Sequence, residues 1–143
     1  MIFNKDEDRK FAWFLAENCP ITFAYMIEPI EKDVPFLPIQ LSIDVGPGWF
    51  PLVREASLKI EQINRVLQLQ GVTTIQVVQI KEKYGTLCYY TNYCNNEIDA
   101  IIEEVEHASG MICESCGGPG ELIQQGWWRT ICESCEEARH HGN

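Results

Sequence analysis

Two copies of Cys-Glu-Ser-Cys stand near one end of this chain, at Cys113–Cys116 and Cys132–Cys135. Thiols paired at this spacing constrain the fold more than any other feature, because they must converge on a metal ion, cross-link, or serve redox chemistry. A two-residue gap lets both sulfurs of a pair turn toward one ion, and Gly117-Gly118 relieves the strain of the first turn. The intervening GGPGELIQQGWWRTI is long enough for a short hairpin that brings the second pair back to the first, as in a zinc ribbon or a related treble-clef arrangement.

The competing chemistries fit less well. No βαβ pattern of thioredoxin type precedes either pair, and two equal pairs are more than a redox site needs. A catalytic metal keeps a coordination position open, whereas four thiolates close the shell. No His-x-Glu signature accompanies the pairs, so a deaminase centre is excluded as well. The total of 7 cysteines is odd, which argues against a disulfide framework. The expectation is one structural Zn²⁺ on Cys113, Cys116, Cys132 and Cys135, with the scattered Cys19, Cys88 and Cys94 as ordinary thiols. His140 and His141 read as a solvated tail rather than extra ligands, and His107 as a surface residue near a helix C-terminus.

A chain of 143 residues is most simply one domain with a small appendage, and its 45% apolar content supports a real core. The predicted division is an α+β domain over 1–110 and a zinc-binding segment over 111–143 packed on it. No apolar run is long enough to cross a bilayer, and the opening MIFNKDEDRKFAW is charged where a signal peptide needs its apolar region. A cytoplasmic location is the expectation. The formal net charge of −10 repels phosphate backbones, and the densest basic cluster is Lys81 and Lys83 flanking Glu82.

Residues 5–18 read as a helix with Asp6, Glu7 and Asp8 at its N-terminal end and Phe11, Phe14 and Leu15 on one face. The proline-rich stretch 20–40 reads as loops or short edge strands, followed by a strand over Gln40–Val45 that Gly46-Pro47-Gly48 breaks. Trp49 to Gln70 reads as the longest helix, with Leu52, Val53, Ala56, Ile60, Ile63 and Leu67 as its apolar stripe and Gly71 as its C-terminal cap. Thr73–Lys83 and Thr86–Thr91 form a hairpin turned at Tyr84-Gly85. Asn95 or Asn96 caps a last helix whose buried stripe is Ile98, Ile101, Ile102 and Val105. Because helices and strands do not alternate as βαβ units, the fold class is α+β: a small mixed domain with a β-hairpin packed against helices and a C-terminal zinc-ribbon-like segment.

Nothing in the sequence assembles a catalytic constellation. Ser42, Ser57 and Ser109 lack a nucleophile-elbow context, and Gly46-Pro47-Gly48 lacks the pattern and the lysine of a phosphate-binding loop. The chain reads as non-enzymatic.

The order Gly48-Trp49-x-x-Leu52-Val53, then Gln79-Ile80-Lys81-Glu82-Lys83-Tyr84-Gly85-x-Leu87-x-Tyr89, then an acidic helix, then Cys-x-x-Cys-Gly with a later Trp128-x-Thr130-x-Cys132, resembles a family of small phage and prophage proteins. Many of these carry a VKEKFG-x-L-R-Y stretch before a Cys-x-x-Cys pair. The likeness runs over residues 43–137 and departs from the pattern at Cys88, where an arginine is expected. The resemblance implies a mobile-element origin and, through it, interference with host machinery, but no defined activity.

Two functions follow as expectations. One is an acidic zinc-binding protein that engages a host protein or complex and inhibits host defence or nucleic-acid processing, since carboxylates can occupy a site built for phosphates. Its recognition face would comprise Glu97, Asp99, Glu103, Glu104, Glu106, Glu114 and Glu133, with Trp127 and Trp128. The alternative is a zinc-ribbon nucleic-acid binder in which Trp127, Trp128 and Arg129 stack on single-stranded bases. The charge balance disfavours that alternative.

Overall fold

A computed structural model of the chain describes residues 6–26 and 43–141. The strand expected at Gln40–Ser42, the proline-rich stretch from residue 27 onward, and the side chain of His141 lie outside the described residues. The elements run α1 (Asp6–Asn18), β1 (Ile43–Asp44), a 3-10 turn (Pro47–Trp49), α2 (Phe50–Leu69), β2 (Val77–Lys83), β3 (Thr86–Thr91), α3 (Asn96–Ser109), β4 (Glu121–Ile123), β5 (Arg129–Ile131) and α4 (Glu133–His141). The architecture is α+β. The main sheet has the order β1-β2-β3, with β1 parallel and β3 antiparallel to β2, and β4 and β5 form a separate antiparallel pair.

The long helix α2 is framed as its sequence dictates. Pro51 lies in the first helical turn, where its missing N–H costs nothing. At the other end Gly71 takes φ 69°, and the bonds Gly71 N–H to Gln68 O and Val72 N–H to Leu67 O make a Schellman closure. The inward face carries Leu52, Val53, Ala56 and Ile60, but Ser57, Glu61 and Asn64 are buried beside them. The expected stripe is therefore partly polar, with Ile63 and Leu67 at its margin.

These buried polar groups are fully engaged. The Glu61 carboxylate accepts from the amides of Ile21 and Thr22 and from the Thr22 hydroxyl. The Asn64 amide donates to the Ile75 carbonyl and accepts from the Ile75 N–H, each at 2.8 Å. That side chain occupies backbone groups a ladder would use, and Asn92 Oδ1 takes the next amide, Gln76 N. For this reason β2 begins at Val77 rather than at Thr73.

The β2–β3 turn has two residues of positive φ, Tyr84 at 53° and Gly85 at 81°, as a two-residue hairpin of this twist demands. Helix α3 begins with Asn95 accepting from the Ile98 amide and then runs along the outer edge of β3. There Glu106 accepts from the Tyr89 amide and Ser109 from the Leu87 amide, each at 2.9 Å, so the helix closes an edge that would otherwise expose unpaired donors. Trp49, Phe23, Leu15, Ile43, Ile60, Ile80, Leu87 and Ile98 fill the space between the sheet and the helices.

Candidate metal centre

The first cysteine pair is shaped by a tight backbone turn. Cys113 N–H donates to Gly118 O, Gly117 N–H returns to Cys113 O, and Gly117 adopts φ 82°. The second pair sits at the start of α4: Cys132 immediately precedes it, and Cys135 lies in its first turn. The β4–β5 hairpin joins the two, with Glu121 paired to Ile131 and Ile123 to Arg129. A knuckle, a hairpin and a helix that opens on the second pair is the treble-clef order of elements.

The sulfurs of Cys113, Cys116, Cys132 and Cys135 all lie within 4.8 Å of one another. The Cys116 and Cys132 sulfurs are 3.7 Å apart, against roughly 3.8 Å between ligands of a regular tetrahedral thiolate site with ~2.3 Å metal–sulfur bonds. The Gly118 amide points at Cys116 Sγ and the Cys135 amide at Cys132 Sγ, both at 3.4 Å. Such donors help thiolates carry their charge.

The protonation pattern points the same way. Burial pushes the Cys113 thiol up, but hydrogen bonds from the amides of Cys116, Cys132 and Ser115 outweigh it and bring the group down to about 6. Its neighbour Cys135 is driven up to about 12, first by its hydrogen bond to Cys132, then by burial and by the adjoining thiols. Thiols this close cannot all ionise without a cation among them. The cluster can hold one metal ion. Four sulfur donors would leave no position for substrate, which makes such a centre structural.

Several bonds tie the centre to the α+β body. The amides of Gly46 and Gly48 donate to Glu114, the first to its carboxylate at 2.8 Å and the second to its carbonyl at 2.7 Å. The Trp49 indole donates to Ile112 O at 2.8 Å, and the Thr130 hydroxyl to Gly85 O at 2.6 Å. The two motifs Gly-Pro-Gly-Trp and Lys-Tyr-Gly thus serve as the seat of the cysteine segment.

This placement divides the expected recognition residues into two groups. Glu97, Asp99, Glu103 and Glu104 on α3 and Glu133 on α4 are exposed. Glu106 and Glu114 instead hold backbone amides. Glu114 is half-buried, and burial lifts its carboxyl to about 7 against the pull of the Gly46 amide, with Glu82, Asp44 and Cys113 adding to the rise. Trp127 is 73% and Trp128 41% exposed. His107 and His140 are exposed, and the His140 ring contacts Glu136 at 3.1 Å rather than joining the cysteine cluster.

Arg129 is committed internally. Its guanidinium makes a two-pronged pair with Glu136 and donates to the carbonyls of Trp127 and Gln125. The Glu136 carboxyl is held down at about 2, chiefly by Arg129. Sequence reasoning did not anticipate this pair, because its two ends lie on different elements, β5 and α4. It also missed the buried Glu61 and Asn64, whose one signal was polar residues at inward positions of α2. Cys19 is buried, Cys88 half-buried and Cys94 exposed.

No helix among the described residues is long and apolar enough to cross a membrane. No protein-family model, curated protein or solved structure matches the chain.

Proposed function

We propose that this chain is a non-enzymatic, zinc-binding interaction protein of phage or prophage origin, acting in the bacterial cytoplasm on a host defence or nucleic-acid-processing complex. The metal is taken as zinc because four thiolates in a closed tetrahedron suit an ion with no redox demand and no open position. The observation that carries the interaction reading is the set of four exposed carboxylates on α3, Glu97, Asp99, Glu103 and Glu104, on a chain of net charge −10. Such carboxylates can meet a basic surface that ordinarily receives phosphates. The origin rests on the resemblance of the motifs over residues 43–137.

Capture of partners from a bacterial lysate tests the reading, with wild-type bait beside a bait in which the α3 acids are replaced by glutamine and with washes at rising salt. A partner held by wild type, released by salt and lost with the glutamine bait supports it. Recovery of salt-insensitive background alone overturns it.

The nucleic-acid alternative draws on the exposed rings of Trp127 and Trp128. The Arg129 guanidinium that this alternative would stack beside them is paired with Glu136. A gel shift with single-stranded DNA at low salt decides between the two, since binding that falls steeply with salt would restore the alternative.

A further inference from the structure

A cleft of about 630 Å³ lies where the β2–β3 turn meets the loop between β4 and β5. Lys81, Lys83 and Tyr84 line one side, and Trp127 and Trp128 the other. Tyr84 and Trp128 meet edge-to-face with centroids 6.0 Å apart, and Tyr84 and Trp127 are 69% and 73% exposed. Each lysine stands near an aromatic face, Lys83 at 5.9 Å from Tyr84 and Lys81 at 5.9 Å from Tyr90. Glu82, between them, also lines the cleft, where the two lysines outnumber it, and its carboxylate accepts from the Gly85 amide at 2.9 Å.

We propose that this cleft is a docking site for a short acidic segment of a protein partner that carries a large aromatic or aliphatic side chain. The proposal deepens the interaction reading above by placing a second contact, of opposite charge, away from the α3 acids. Large exposed rings around a concave site are the anchors that interfaces use, since they bury much area at little entropic cost. The two ammonium groups on one face of β2 select a carboxylate. The chemistry favours a short segment over a nucleic-acid strand. A strand extends its phosphates past the lysines into the field of a chain charged −10, and two lysines would release about two counterions, a weak return for a polyanion.

Fluorescence anisotropy on the full, metal-loaded chain tests the site. The probes are a labelled peptide alternating glutamate and tryptophan, its counterpart with lysine for glutamate, and oligo(dT). The variants are Trp127→Ala and the double Lys81→Glu/Lys83→Glu, whose metal content is checked against wild type. The acidic peptide is expected to bind wild type and to lose about tenfold or more in affinity with either variant. The lysine peptide is expected to bind only the double glutamate variant. No measurable binding of the acidic peptide, binding unchanged in both variants, or tighter binding of oligo(dT) would each overturn the proposal. A lysate partner retained by the double glutamate variant but lost with the α3 glutamine bait would overturn the cleft while leaving the interaction reading intact.

Discussion

The amide of Gly48 donates to the carbonyl oxygen of Glu114 at 2.7 Å, joining the turn that opens α2 to the knuckle that carries Cys113 and Cys116. The contact is so close that a Cβ on Gly48 would lie 2.1 Å from the Cys113 carbonyl oxygen and 2.6 Å from that of Glu114. Both are backbone atoms, so no side chain can swing aside. Gly48→Ala is therefore expected to cost on the order of 3 kcal/mol and to speed metal loss to a chelator. Thermal unfolding and metal-release kinetics check this, and a wild-type melting temperature would show that the two parts are not coupled here.

Thiol accessibility should follow structure. With metal bound, alkylation is expected at exposed Cys94 first, at half-buried Cys88 more slowly, and at buried Cys19 last. Burial, then the Asp99 hydrogen bond, raises the Cys94 thiol, and burial raises that of Cys19, so neither is activated by its setting. Chelation should add Cys113, Cys116, Cys132 and Cys135 to the reactive set. Mass spectrometry of alkylated peptides reads the order, and modification of the four before chelation would contradict the centre.

Alkaline stability should carry the signature of Cys19. Burial, then the Glu61 charge, raises this thiol from 9.0 to about 12. The folded state keeps the proton that the unfolded chain releases, so this contribution is complete below pH 9.0 and is lost as pH rises toward about 12. The buried Tyr89 phenol, bonded to Ser57 at 2.8 Å and likewise raised by burial, adds to the loss above its ordinary value. Cys19→Ala should flatten denaturation midpoints measured between pH 9 and 12, and an unchanged slope would place that thiol elsewhere.

Glu106 offers a test near the acid end. Burial raises its carboxyl above 4.5 despite the Tyr89 amide that it accepts, and Glu103 adds to the rise. The folded state thus binds this proton more tightly, and its contribution is largest below pH 4.5 and falls as pH rises through the raised value. Glu106→Gln keeps the acceptor and should remove that dependence. Glu106→Ala leaves the Tyr89 amide unpartnered and should cost about 1–2 kcal/mol at neutral pH. Equal stability of the two variants would mean that the edge bond contributes little.

The parts of this fold that follow local rules were legible in the sequence. Pro51 and Gly71 bound α2, Asn95 caps α3, and Tyr84-Gly85 turns the hairpin, because each depends on residues within a few positions. The convergence of the cysteine pairs follows from spacing in the same way. What the sequence concealed depends on distant partners. Glu61 meets Thr22, Asn64 meets Ile75, and Arg129 meets Glu136 only once the chain has folded. Glu106 and Glu114 looked like surface acids for that reason, since nothing beside them in sequence announces the amides that they hold.

We take the four-cysteine cluster to be a closed zinc centre that holds the segment to the body. Native mass spectrometry of the purified chain, followed by thiol titration after unfolding in a chelator, tests it most directly. The expected result is one zinc per chain, absent from a Cys113→Ser/Cys132→Ser variant, with all 7 thiols titrating once zinc is removed. A chain purified without metal, folded through its cysteine segment and unable to take up zinc, would contradict it.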